Sequence, residues 1–245
     1  MQIDVVGIPI ENVTPEQAVR DVSAFLDKRE NKIVVTPNAE ILQLCVENEA
    51  AKQTVLQADY IVPDGIGVVR GAKMLGTPLK GKVAGCDLGW NLLDEIERKG
   101  KRLYLLGAKP GVAEQAAENM RAAHPNLIIC GVADGYFKDD DAAAEKVRAA
   151  DADALYVCLG VPRQEQWMVK YRDRLNVGVM MGLGGSMDVY AGTVKRAPKI
   201  FIKLGLEWLY RLIKEPWRLK RMMKLPQFFV SVKKYKKQIK KEASK

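Results

Sequence analysis

The sequence predicts an α/β fold, a mostly parallel sheet flanked by helices, with a basic helical segment appended on the C-terminal side. Three observations carry that expectation. Apolar, β-branched runs such as Val34-Val35 and Ile61-Val62 stop abruptly at polar residues and a proline, as buried strands do at the rim of a parallel sheet. From residue 102 onward, strand-like runs are separated by single helical patterns, the rhythm of right-handed βαβ units. Charge is divided along the chain: residues 195–245 hold seventeen Lys and Arg against three Glu, a net +14, while residues 1–194 carry −5. A chain of 245 residues, 48% of them apolar, can build one large core with an appendage. The expected division is a Rossmann-like domain over 1–194 and a basic amphipathic appendage over 195–245.

A short strand over 3–7 opens the chain and leads to a turn at Pro9. Thr14-Pro15-Glu16-Gln17 is a capping box with proline at the first helical position, so a helix starts there. A strand over 32–36 precedes a helical pattern from Ala39 to about Leu56, then a strand over 60–62 and a helix over 65–74. Leu79-Lys80-Gly81-Lys82-Val83-Ala84-Gly85-Cys86-Asp87 reads as a loop, with Asp87 placed to cap a helix running to about Lys99. Strands over 103–106, 127–132, 154–159 and 177–182 then alternate with helices over 112–123, 142–150 and 164–174.

Composition excludes several kinds of chemistry. Cys45, Cys86, Cys130 and Cys158 are widely spaced, form no CxxC pair, and read as buried free thiols. With His124 the only histidine, neither a zinc cluster nor a Ser-His-Asp triad can be assembled. Met1-Gln2-Ile3-Asp4 leads into a strand rather than a signal peptide, and no apolar run reaches about 18 residues, so a cytoplasmic protein is expected. Asp151-Ala152-Asp153 imitates a metal-binding DxD but falls between a helix and the start of a strand, on the wrong rim. Asp139-Asp140-Asp141 is placed to cap the next helix. No metal and no cofactor is therefore expected.

Open α/β sheets bind ligands beyond the carboxyl ends of their strands, so Thr36, Asn38 and Asp64 become neighbours there. Asp64 is the candidate base, with Thr36 beside it. On a plainer reading, Thr36 and Asn38 cap the helix beginning near Ala39, and Asp64 opens a turn with Gly65. Lys82 lies on a loop between site-facing elements and could meet a phosphate, or form a solvated pair with Lys80. The later strand ends carry Gly107-Ala108-Lys109-Pro110-Gly111, Asp134-Gly135-Tyr136-Phe137, Gly160-Val161-Pro162-Arg163-Gln164-Glu165 and Gly182-Leu183-Gly184-Gly185-Ser186. Glycine turns let backbone N–H groups approach a phosphate, and the helix start that follows favours negative charge. A nucleotide diphosphate suits such loops, with Gly107, Tyr136, Gly160, Gln164, Glu165 and Gly185 as substrate-binding candidates. A dinucleotide such as NAD does not, because the glycines at 107–111 are not GxGxxG and no ribose-binding acid follows.

Past Asp188 the character changes. Phe201, Leu204, Trp208 and Leu212 recur at helical spacing with Lys203, Arg211 and Lys214 between them, the composition of an interfacial helix. A basic stretch over 218–224 is followed by Phe228, Phe229 and Val230 and by the lysines of 233–241. Attraction to anionic lipid and apolar insertion would act together on such a segment. Pro216 is expected to divide it into two helical pieces that fold over the Asp64 rim. A helix packed on the body with a solvated lysine tail is the plainer alternative.

Thr36-Pro37-Asn38, Pro63-Asp64-Gly65, Val83-Ala84-Gly85-Cys86-Asp87, the 160–165 stretch, Gly192 with Arg196-Ala197-Pro198, and Glu207-Trp208 with Arg211, Glu215-Pro216 and Arg218 together resemble the WecG/TagA/CpsF family of bacterial glycosyltransferases. The likeness runs in order along essentially the whole chain. It implies a membrane-associated enzyme that moves N-acetylmannosamine, or a related sugar, from a UDP donor. The implied acceptor is N-acetylglucosamine carried on undecaprenyl diphosphate, in the making of teichoic acid or a similar surface polymer at the cytoplasmic face of the membrane. It further implies that Asp64 is the base, that Thr36, Asn38 and Gln164 line the donor pocket, and that Arg211, Arg218 and Arg221 belong to an appendage that completes the site. Arg196, in the family's Arg-Ala-Pro, joins the substrate-binding candidates. One departure stands out: Lys82 replaces the arginine usual before Val-Ala-Gly, keeping the charge but losing the bidentate fork for phosphate.

Residue chemistry and resemblance meet on a single inverting displacement, in which Asp64 accepts the proton of the attacking hydroxyl. Glycine-loop amides and cations would meet the charge developing on the diphosphate. The rival class is a non-catalytic adaptor for a membrane or a nucleic acid, which a basic tail with Trp208, Trp217, Phe228 and Phe229 could also serve. On the first reading no nucleic acid is expected. The donor hexose and assembly into a homo-oligomer stay open.

Overall fold

The computed structural model describes residues 1–214, 216 and 219–242, leaving out the side chains of residues 199, 203, 211, 220 and 221. The N-terminal run is a hairpin of β1 (Gln2–Val5) and β2 (Ile8–Glu11), where the sequence suggested one strand and a turn at Pro9. The turn is instead Val6-Gly7, at φ 53° and 83°, the positive angles that a two-residue hairpin connection demands. Pro9 faces Asp4 one step from the hydrogen-bonded pair Val5 and Ile8, so its missing N–H falls on the outer edge and costs no ladder bond.

Helix α1 (Pro15–Phe25) carries the expected capping box: Gln17 N donates to Thr14 Oγ1 at 3.2 Å and Thr14 N donates to Gln17 Oε1 at 3.0 Å. After β3 (Lys32–Val35), the helix expected through Leu56 is two, α2 (Ala39–Glu47) and α3 (Glu49–Leu56). Asn48 divides them, because it is extended and its Oδ1 accepts the Ala51 N–H at 3.0 Å to cap a new helix. The elements β4 (Tyr60–Ile61), α4 (Ile66–Leu75), α5 (Gly85–Arg98), β5 (Arg102–Gly107), α6 (Val112–Ala123), β6 (Ile128–Ala133), α7 (Asp140–Ala149), β7 (Ala154–Cys158), α8 (Arg163–Tyr171), β8 (Val179–Gly182) and α9 (Ser186–Tyr190) follow. Only α9 had no counterpart in the sequence reading of this region. It has five residues, too few to show a helical period.

Among the described residues, six strands form one sheet in the order β4-β3-β8-β7-β5-β6, with every pairing parallel. Two apolar cores flank it. One joins Leu42 of α2, Val55 of α3, Val147 of α7 and Trp167 of α8; the other joins Val22 of α1, Leu92 of α5, Ala116 of α6 and Met187 of α9. Connections from β3 to β4, β6 to β7 and β7 to β8 run one way along the sheet and cross the first face. Those from β4 to β5 and β5 to β6 run the other way and cross the second, as a single handedness requires. The neighbours β7 and β5 thus send their chains to opposite faces, the kind of switch point beyond whose carboxyl ends open α/β sheets bind ligands.

Beyond α9 come α10 (Lys199–Lys203), α11 (Glu207–Lys214), α12 (Leu219–Met222) and α13 (Lys224–Glu242), four helices where two were expected. The first break is Gly205, at φ 69°, rather than Pro216. A second correction concerns Phe228, which the composition of the segment assigns to apolar insertion. Phe228 and Val232 of α13 are fully buried and belong to the first core. The slot is made by Gly71 of α4, where an added Cβ would sit 2.8 Å from the Phe228 ring. Glu215, Trp217 and Arg218 lie outside the described residues, as do the side chains of Arg211 and Arg221. Among the described residues, no helix is long and apolar enough to cross a membrane.

Candidate active site

Three loops at the carboxyl rim are stitched together by their backbones. Asp64 N donates to Pro37 O at 3.2 Å, and Val83 N donates to Pro63 O at 2.7 Å. The Thr36 hydroxyl donates to Gly182 O at 3.3 Å, joining the end of β3 to the end of β8. Two glycines permit the close approach: a Cβ at Gly67 would lie 2.9 Å from Ala39 Cβ, and one at Gly85 would lie 2.5 Å from Thr36 Oγ1. The starts of α2, α4 and α5 therefore converge on Thr36, Asn38 and Asp64, which all stay partly accessible. Ala84, at the cap position of α5, makes no side-chain cap bond, and the positive end of the helix points into this convergence.

Asn38 does what the plainer reading assigned to it, accepting the Ile41 N–H at 3.0 Å as the cap of α2. That bond uses the side-chain oxygen and leaves the amide N–H groups directed elsewhere. Lys82 forms a 3.8 Å ion pair with Glu207 of α11, both partners being partly buried. Arg196 binds Asp87, in the first turn of α5, with both guanidinium branches, and this bond holds the guanidinium pKa above its ordinary value. Asp87 is thus an ion-pair partner rather than a cap; Ala84 occupies the cap position. Gly205 rests on Ile66, where a Cβ would come within 3.1 Å, so the turn between α10 and α11 lies against the residues that follow Asp64.

Gln164 and Glu165 open α8, each only 3% exposed. Gln164 Oε1 accepts the Gly184 N–H at 3.0 Å, and its Nε2 donates to Glu165 Oε1 at 2.8 Å. Burial pushes the Glu165 carboxyl up to about 7, while the bonds from Gln164 and its own backbone favour the charged form. Gly160, at φ 77°, and Gly185 both have open space where a Cβ would stand, as a backbone meant for close approach requires. Gly107 has a different reason to be glycine: a Cβ there would strike the Cys158 carbonyl of the neighbouring strand.

The loops after β5, β6 and β7 form a second group. Gly135 N donates to Ala108 O, and Arg163 donates to Gly135 O, both at 2.8 Å, with its guanidinium 4.6 Å from the Phe137 ring centroid. Tyr136 is exposed on this group. It follows β6 whereas Asp64 follows β4, so five strand spacings of about 4.8 Å put the two roughly 24 Å apart. Arg163 and Glu207 were not among the sequence candidates. Both lie inside motifs that the sequence offers, Arg163 in the strand-end run 160–165 and Glu207 before Trp208, and Glu207 is also one of three acids in the cationic segment.

The acidic clusters are occupied. Asp139 caps α7 by accepting the Ala142 N–H at 3.0 Å. Asp153 is paired with Arg29 at 3.1 Å and Lys101 at 3.7 Å, and Asp151 is paired with Arg29, all at the amino-terminal rim. Among the described residues, no group of three or more His, Cys, Asp and Glu side chains is placed to hold a metal ion.

Comparison with known proteins places the chain among others of this design. Residues 3–242 match the family described as Glycosyl transferase WecG/TagA/CpsF family. A Bacillus spizizenii protein named N-acetylglucosaminyldiphosphoundecaprenol N-acetyl-beta-D-mannosaminyltransferase is 40% identical over 213 residues, 87% of this chain and 83% of that one. Proteins of the same name from Bacillus subtilis and Staphylococcus aureus are 37% and 33% identical. They cover 85% and 98% of this chain, and 81% and 95% of their own lengths.

Proposed function

Because the chain belongs to the WecG/TagA/CpsF family of glycosyl transferases, we propose that it moves N-acetylmannosamine from a UDP donor to N-acetylglucosamine on undecaprenyl diphosphate, toward teichoic acid or a related surface polymer. The observation that supports this reading best is the bond from Asp64 N to Pro37 O, which holds the Asp64 loop against the residue that follows Thr36 at the end of β3. In the proposed reaction Asp64 takes the proton of the acceptor hydroxyl as that oxygen attacks the anomeric carbon, and UDP departs from the opposite face with inversion. UDP leaves as an anion, so no second carboxylic acid is needed. The Gly185 amide, the one N–H of the 183–186 loop without an acceptor among the described residues, and the start of α5 meet the diphosphate charge, together with Lys82 once it exchanges Glu207 for phosphate. The donor lies along the rim, its sugar at Asp64 and its nucleotide toward the loop of Gly160, three strand spacings away, with Gly107 and Tyr136 one and two strands farther on. Arg196 serves through Asp87, fixing the root of the appendage to α5. Arg211, Arg218 and Arg221 are proposed to reach the diphosphates when the appendage is docked.

The test is turnover of a panel of UDP-hexoses with a lipid-linked N-acetylglucosamine acceptor, with and without EDTA. UDP-N-acetylmannosamine should be consumed only when the lipid diphosphate is present, and EDTA should change the rate by less than about twofold, since the acidic clusters are committed elsewhere. Turnover of another hexose alone would replace the donor, and loss restored by Mg²⁺ would bring a metal into the mechanism.

The appendage is proposed to hold residues 195–245 on the anionic cytoplasmic face of the membrane. Ile200, Leu204 and Ile213 are exposed in a segment of net +14, which suits an interfacial surface. Ile200→Ser with Ile213→Ser should weaken co-sedimentation with anionic vesicles by about tenfold or more, given roughly 25 cal/mol per Å² of apolar surface inserted. Unchanged sedimentation would remove these residues from the docking surface.

A further inference from the structure

Glu165 sits one bond behind the residues that line the rim. Its Oε1 accepts from Gln164 Nε2, and its Oε2 is buried without a hydrogen-bond partner among the described residues. The Gln164 amide in turn fills the space over Gly182, where a Cβ would lie 3.0 Å from Nε2, and receives the Gly184 N–H. Gly182 O is the acceptor of Thr36. A line of contacts therefore runs from Glu165 through Gln164 to the loop after β8 and to Thr36.

We propose that Glu165 is a positioning residue, whose carboxylate, through the Gln164 amide, fixes the 183–186 loop in the shape that receives the donor's diphosphate. The role in donor binding rests on the glycosyltransferase reading above; the positioning itself does not. Gly184 N needs an acceptor, so the amide must turn Oε1 toward it and Nε2 away, and only an acceptor can stand behind Nε2. An ionised carboxylate meets that need without ambiguity. Once protonated, the carboxyl offers an O–H that competes with Gly184 N for Gln164 Oε1, and the amide is free to reverse.

Because burial holds Glu165 near 7, the lock is closed above that pH and loosens below it. Its surroundings let it dominate. The thiol of Cys45 on α2 is pushed up to about 12 by burial and by Glu165, so it stays neutral through this range, and Lys52 of α3 acts on that thiol in the opposite sense. Strands β3, β7 and β8 turn Val35, Val157 and Gly182 to this face.

Hydrogen exchange over 183–187 and donor KM, each at pH 6 and pH 8, decide the matter for the full chain and for Glu165→Gln and Glu165→Leu. After correction for intrinsic rates, the wild type should exchange about tenfold faster at pH 6 than at pH 8, the scale of one buried charge-assisted hydrogen bond. Glu165→Gln, which cannot titrate and carries N–H donors where the protonated carboxyl carries its O–H, should exchange fast at both. Glu165→Leu should be fast at both and raise donor KM about tenfold with kcat less affected. A wild-type pH response retained in Glu165→Gln, or a Leu variant as protected as wild type, overturns the proposal. The expected exchange pattern with no turnover of any UDP-hexose would leave the positioning standing and overturn the donor reading instead.

Discussion

Asp64→Asn is expected to lower turnover by about 10²-fold or more, the usual scale for removing a general base, while donor KM and melting temperature stay close to wild type. The two backbone bonds of the loop survive the change, since the N–H of Asp64 makes the one to Pro37 and Val83 N makes the one to Pro63. Asparagine keeps the side-chain volume and can still accept a hydrogen bond, but it cannot hold the proton that the acceptor hydroxyl must lose. Fall in kcat alone would mark an interaction made in the transition state; a rise in KM alone would mark Asp64 as a binding residue. Near-normal turnover would remove Asp64 from the chemistry and leave Thr36, next to the Pro37 that Asp64 N binds, as the next residue to change.

The strands and their carboxyl rim were legible because parallel sheets write themselves as short apolar runs with polar ends, and Pro37 and Pro63 mark two of those ends. Local chemistry with a fixed spacing was legible too, as at Thr14 and Gln17. Less was visible where a single residue decides. Asn48 breaks a helix whose apolar period continues on both sides, and Val6 takes a positive φ that a β-branched residue rarely adopts. The pairing of Lys82 with Glu207 and of Asp87 with Arg196 joins residues more than a hundred positions apart, which no local pattern reports. Composition misled in one respect. A charge count assigns residues 195–245 to an appendage, but charge sits on the outer side of α13 and says nothing of the side that carries Phe228 and Val232.

That inner side makes the last expected result a loss of stability. Phe228→Ala should cost about 3–5 kcal/mol, the usual price of emptying a phenylalanine site in a core, and lower the melting temperature by roughly 6–20 °C for a chain of this size. Phe228 is fully buried against Gly71 of α4, and its ring meets that of Phe229 at a tilt of 58° with centroids 5.7 Å apart. Deleting everything after residue 194 would take both Phe228 and Val232 from the core, so such a truncation tests stability as much as membrane binding. A mutant cycle separates the two. Gly71→Ala alone should destabilise by about 1–3 kcal/mol, because its methyl group would press on the Phe228 ring at 2.8 Å. In the Phe228→Ala background the same methyl enters an emptied space, so the two changes should combine to less than their sum. Strict additivity, with a small effect from each, would mean that α13 leaves the body in solution and that the appendage is as separable as its charge suggests.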